Sequence, residues 1–204
     1  MIQPLVTIPM NARDQGQRSS CVAFSIAGIK GLISNYSLSP EYAYLATVHL
    51  SPSWRPDQGL DVRIAITATT KGLPEDHHLP YQQHEPTHPL PALPTGLPLY
   101  GPHLTLMSVD LTAIKKWLSS GKPVGVLISL TQSFMSPIDG IVSFQTGVYP
   151  GRHAVVIVGY GNDQAGNEYY LICNSWGPAW GVNGHAWVPD SYLNCHASCI
   201  YGAN

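Results

Sequence analysis

The sequence predicts an α+β fold in two lobes, a helical one followed by an antiparallel sheet, and three observations carry that expectation. Helical periodicity and capping signals are concentrated in the first third of the chain. Strand-like apolar runs fill the second half. Between them, residues 73–103 are so rich in proline, histidine and glycine that they suit neither a helix interior nor a central strand.

The first helix is expected to begin at Cys21, behind the polar pair Ser19-Ser20, because Val22, Ile26, Ile29 and Ile33 recur at helical spacing. Ser39 as N-cap with Pro40 at the first helical position marks a second helix. Asp61 before Val62, Ala65, Ile66 and Thr69 marks a third, stopping at Gly72. The segment 73–103 then reads as a long loop crossing between the halves. Asp110 caps a short helix through Ile114, Trp117 and Leu118, ended by Gly121 and Pro123. Strands are expected over 124–130, 154–160, 169–174 and 185–188. The helical lobe spans about 10–103 and the sheet lobe about 104–194 on this count, within one domain whose termini cross between lobes.

A chain of 204 residues, 44% hydrophobic, can bury one ordinary core or two small ones. A formal charge of −2 leaves no basic stripe to collect phosphates, so no nucleic-acid partner is expected. No apolar run approaches about 18 residues, and residues 1–5 do not read as the start of a signal peptide. Neither a membrane span nor secretion is therefore expected, which leaves a cytoplasmic location, or delivery into a target-cell cytoplasm without a classical signal. Four cysteines are too few for a disulfide framework, which makes Cys21 a thiol. A monomer is expected.

Thiol acyl-transfer chemistry has its parts here. A cysteine in the first turn of a helix feels the positive end of the dipole, and beside an imidazolium it loses its proton well below the free value of about 8.5. Gln15, six residues before Cys21, can donate its side-chain N–H together with the Cys21 backbone N–H to an oxyanion. A hairpin turning through residues 161–167, with Tyr160 opposite Asn167, would bring His153 directly across from Asn174, at about 4.5–5.5 Å between Cα atoms. The Asn174 carbonyl would then fix the imidazole tautomer and aim its other nitrogen at a thiol.

These residues stand in Gln15-Gly16 with Cys21-Val22-Ala23-Phe24-Ser25, in His153-Ala154-Val155 running to Gly159-Tyr160-Gly161, and in Asn174-Ser175-Trp176-Gly177 with Trp180-Gly181 and Gly184. Their order and spacing resemble the papain-like cysteine proteases over nearly the whole chain. Weaker echoes are Gly72-Leu73-Pro74-Glu75, Pro80-Tyr81 and Gly121-Lys122-Pro123-Val124. The resemblance implies a helical lobe and a β lobe with a substrate cleft between them. It implies Cys21 as nucleophile, His153 as base and acid, Asn174 as orienter and Gln15 as oxyanion donor, with Trp176 shielding the His–Asn hydrogen bond from water. Arg18 stands where the family usually has a disulfide cysteine, which favours a reducing compartment, and Val22 replaces the usual tryptophan after the nucleophile.

Other residues are given blander roles. Cys173 alternates with Asn174 and should face the core. Cys195 and Cys199, beside His196, are expected to be buried thiols rather than a metal site or a pair. His77, His78, His84, His88 and His103 lack ligand spacing and are expected to be solvated, so no metal or cofactor is assigned. Glu41, Asp57 and Asp61 are taken as solvated or capping acids. The expected function is a cysteine endopeptidase acting on protein or peptide substrates. By analogy, a bacterial effector or toxin domain restrained by an inhibitory or immunity protein is expected, because the chain starts close to the mature domain without a propeptide. The alternatives are a transamidase or deamidase using the same thioester, and an inactive module that grips a partner in its cleft.

Overall fold

In chain order, the computed structural model, which describes residues 1–203, contains β1 (Gln3–Thr7), α1 (Cys21–Ser34), α2 (Pro40–His49), α3 (Val62–Ala68), a 3-10 turn (Asp76–His78), β2 (Thr105–Met107), α4 (Leu111–Ser119), β3 (Val124–Ile128), α5 (Gln132–Met135), β4 (His153–Asn162), β5 (Glu168–Cys173), β6 (His185–Pro189), α6 (Asp190–His196) and β7 (Ala197–Gly202). Two compact units result: Gln15–Thr105 forms a helical one, and Met1–Asp14 with Leu106–Gly202 forms one built on a sheet. The class is α+β, as expected. Among the described residues no helix is long and apolar enough to cross a membrane.

Local chemistry starts the helices where the sequence says. The Ser39 hydroxyl accepts from the Tyr42 N–H with Pro40 at the first position of α2, Asp61 accepts from Arg63 and Ile64 N–H at α3, and Asp110 accepts from Thr112 and Ala113 N–H at α4. At α1 the Ser20 side chain makes no capping bond; its hydroxyl is engaged with the Tyr81 phenol at 2.7 Å. Val22, Ile26 and Ile29 of α1 are buried.

The long segment after α3 is tied down without a ladder of its own. Leu73 and Tyr100 exchange two backbone hydrogen bonds, at 2.9 and 2.8 Å, closing it at its base. Lys30, wholly buried in α1, donates to the Pro102 carbonyl; burial pushes its amine down to about 8. The middle is held by Arg18. That residue is 2% exposed, and its Nη1 donates to Glu41 Oε2 at 2.6 Å and to the Gln82 carbonyl at 2.7 Å. Its Nε lies 3.4 Å from Glu85 Oε2, and the guanidinium sits 3.7 Å over the Tyr44 ring. Tyr44 in turn donates its phenol to Glu85 at 2.5 Å. Glu41, expected to be solvated, is instead 3% exposed. It opens α2 facing inward because a buried cation needs a buried anion.

In the sheet unit the strand order is β2-β7-β3-β4-β5-β6, with β1 also on β4. Both β3 and β1 pair with the edge of β4 opposite β5: β3 takes His153 to Ile157 and β1 takes Gly159 to Asn162. The core contains Ile114, Leu118, Val126, Phe134, Val155, Tyr170 and Tyr192. Gly125 is required in β3, since a Cβ there would fall 2.1 Å from the Tyr201 ring.

Replacing Arg18 by Met should destabilise the protein by about 3–5 kcal/mol, because Glu41 is left buried without its cation. Urea unfolding of wild type and Arg18→Met measures this; a loss below about 1 kcal/mol would show that the pair carries little.

Candidate active site

His153 opens β4 and Asn174 follows directly on β5. The ladder places them differently from the simple hairpin count. Asp163 holds the turn, its Oδ1 accepting from the Ala165 and Asn167 N–H at 2.9 Å each and its Oδ2 from the Asn167 carboxamide. That keeps Asn167 out of the ladder, and Tyr160 pairs with Tyr170, three residues beyond the expected partner. A bulge between Ile157 and Gly159 takes one residue back, so Val156 faces Cys173. Asn174 is thus a diagonal neighbour of His153, a pairing of about 7–8 Å rather than direct opposition. An offset of two keeps both side chains on the same face.

The side chains span that diagonal. His153 Nε2 and Asn174 Oδ1 are 2.7 Å apart, and the same Oδ1 accepts the Ser175 N–H at 2.8 Å. The backbone donor identifies this Asn174 atom as the oxygen, so His153 Nε2 carries a hydrogen and the neutral ring leaves Nδ1 as its acceptor. Asn174 Nδ2 is buried with no hydrogen-bond partner among the described residues. Trp176 stacks on the imidazole, ring centres 4.6 Å apart and planes 29° from parallel. After it, Gly177 turns the chain with φ +75, where a side chain would be strained and would press on Asp14.

Phe134 is a residue of this site that sequence reasoning missed. Wholly buried in α5, it packs edge-on to Trp176 at 5.8 Å and to His153 at 6.3 Å. Its carbonyl accepts the Trp180 indole N–H at 2.9 Å. The Thr131 cap, which accepts from the Phe134 N–H, is the local signal that announces α5. His153 is 4% exposed. Burial pushes its pKa down to about 4, outweighing the Asn174 hydrogen bond that favours the charged ring.

In the helical unit Cys21 is the first residue of α1 and half-buried. Gln15 is buried, and its Nε2 donates to the Arg18 carbonyl at 2.8 Å. The Gln15 carbonyl accepts from the Tyr81 phenol at 2.8 Å. The structure therefore gathers the candidate residues in two sets, His153, Asn174 and Trp176 in the sheet unit and Gln15 and Cys21 in the helical one.

The remaining thiols are not paired in disulfides. Cys173 is core, its thiol pushed up to about 12 by burial. Cys195 is exposed and Cys199 half-buried, against the expectation that both are buried, because α6 turns Cys195 outward while His196 points in, and Cys199 lies in the less covered first half of β7. His196 Nε2 sits 2.6 Å from the Gln145 carbonyl. Of the loop histidines, His77 and His78 come together with Glu75 in a largely exposed group with ligand atoms within 4.8 Å.

A family model described as papain family cysteine protease matches residues 7–199. The chain is 40% identical over 77 residues to cathepsin B-like CP2 of Giardia intestinalis, covering 38% of this chain and 26% of that protein. It is 31% identical over 197 residues to cathepsin B-like CP1 of the same organism, covering 90% of this chain and 65% of the relative. It thus spans about a quarter to two thirds of these relatives. The fold is also that of xylellain, a cysteine protease from Xylella fastidiosa, with a TM-score of 0.77 at 20% identity, covering all of this chain and 87% of that one.

A histidine with folded pKa near 4 and unfolded pKa near 6.5 contributes stability that is complete above pH 6.5 and lost as pH falls towards 4. Urea unfolding of Cys21→Ala, which removes the thiol's own ionisation, should show a loss on the order of 3 kcal/mol over that window. Adding His153→Gln should flatten it. An equal slope in both variants would rule out the buried neutral imidazole.

Proposed function

The chain belongs to the papain family of cysteine proteases, and from that premise we propose that it is a cysteine endopeptidase in which Cys21, His153, Asn174 and Gln15 act together. The observation that carries the reading is the buried imidazole of His153, held through Nε2 by Asn174 and covered by Trp176, with Nδ1 left as a base. Such a ring is built to exchange a proton at one nitrogen only.

In the proposed cycle His153 Nδ1 takes the Cys21 proton, and the thiolate is favoured by its place in the first turn of α1. Burial disfavours the imidazolium by itself, so the two ionisations are coupled and their pKa values belong to the pair. The sulfur attacks the peptide carbonyl carbon, and the oxygen becomes an oxyanion that accepts from Gln15 Nε2 and the Cys21 backbone N–H. The C–N bond breaks as the imidazolium gives its proton to the leaving amine, which leaves a thioester. Water then attacks with His153 as base, releasing the acid and restoring the thiol. Trp176 and Phe134 keep solvent from competing for the His153–Asn174 hydrogen bond.

The test is mapping of new protein N-termini in a reduced cell lysate treated with wild type and with Cys21→Ala. New termini from wild type alone are expected, and their sequences define the cleavage preference. Identical patterns from both would sink the peptidase reading. Mass gains from amine incorporation without new termini would point to acyl transfer.

A further inference from the structure

We propose that Arg18 is the positioning residue for the oxyanion donor: its buried guanidinium fixes the 15–20 turn so that its own carbonyl holds the Gln15 carboxamide in register. The proposal rests on the catalytic role given above to Gln15. Its basis is the double use of one residue. The Arg18 carbonyl accepts from Gln15 Nε2 at 2.8 Å and from the Ser20 N–H at 2.7 Å; the Ser20 hydroxyl, 3.3 Å away, gives its hydrogen to the nearer Tyr81 phenol. The side chain of the same residue is tied to Glu41 and Gln82 by Nη1 and lies beside Glu85 through Nε.

The turn therefore cannot shift without moving the guanidinium off acceptors contributed by α2 and by the segment around 82–85. Tyr81 reinforces the same geometry, its phenol bridging the Gln15 carbonyl and the Ser20 hydroxyl. A glutamine carboxamide is set by three rotatable bonds, and an oxyanion donor helps only when aimed before the charge develops. Of the two hydrogens on Nε2, one goes to the Arg18 carbonyl, and the catalytic reading gives the other to the oxyanion. Stability alone does not require this arrangement, since a buried ion pair can often be replaced by packed apolar residues at little cost. The two acceptors converge on Nη1, whose hydrogens are fixed in the plane of the guanidinium, and that supplies a direction which a lysine ammonium on a flexible stem cannot reproduce.

The experiment is a double-mutant cycle between Arg18→Lys and Gln15→Ala, read as kcat and KM on a peptide found by terminal mapping, with the rate of Cys21 alkylation by iodoacetamide measured alongside. Arg18→Lys alone should lower kcat by about 10- to 100-fold with KM within about twofold, the size of loss expected when a transition-state donor is misaimed. In the Gln15→Ala background it should lower kcat by less than about twofold, because the donor it aims is already gone. Alkylation, which forms no oxyanion, should keep its wild-type rate. Glu85→Gln, which removes the charge of the outer anchor while keeping a carbonyl acceptor for the Tyr44 phenol, should show the same coupling at about three- to tenfold and covers the case in which Arg18→Lys does not fold. Additive losses, or a fall in alkylation equal to the fall in kcat, would overturn the proposal while the wild type remains active. A wild type without Cys21-dependent hydrolysis would overturn the catalytic reading and this proposal together.

Discussion

A guanidinium withdrawn from water organises the helical unit. An isolated buried cation is costly by several kcal/mol, and only anions and carbonyls drawn in around it make the position tenable. The demand reaches far along the chain, to Glu41 at the start of α2 and to Gln82 and Glu85 in a segment with no ladder of its own. That segment is thus pinned at its base by Leu73 and Tyr100, in its middle by Arg18, and near its end by Lys30 on Pro102. The turn before α1 inherits the same rigidity, because Arg18 belongs to it. Cys21 therefore begins its helix from a fixed approach.

The sheet unit solves a different problem, that of holding a titratable ring in one tautomer. Asn174 Oδ1 takes a backbone N–H as well as the ring N–H, and that second bond prevents the carboxamide from turning over. Trp176 stacks on the imidazole and Phe134 packs edge-on to it, and on the proposed mechanism this cover keeps solvent from the bond. The same burial favours a neutral imidazole. On the proposed mechanism this is useful, since a neutral ring can take a proton from a thiol, and the charge it acquires is balanced only by the thiolate it has just made.

On the proposed mechanism the helical unit supplies the nucleophile and an amide donor, and the sheet unit supplies the oriented base. The halves are built from opposite materials. The helical half relies on a charged network whose members are tens of residues apart, and the sheet half on a hairpin and its aromatic cover. Both place the reacting group on the first residue of a regular element, where backbone geometry defines its direction.

The amino-acid sequence by itself determined what depends on neighbours in the chain. Helix starts at Ser39, Asp61 and Asp110 were legible because a cap and its N–H partners lie within three residues. The apolar runs of β3 to β6 were legible for the same reason, as was the pairing of His153 with Asn174 on one face, since parity survives a slip of two. The tertiary structure alone decided the actual register, which turns on how the Asp163 carboxylate folds its loop and on a bulge at Gly159. It alone decided that β1, exposed along most of its length and carrying a proline, is a strand at all, because an open edge of β4 receives it. The same holds for Glu41. Nothing within a helical turn of that residue marks it as buried, and its place follows from a cation 23 positions away that only folding brings within 2.6 Å.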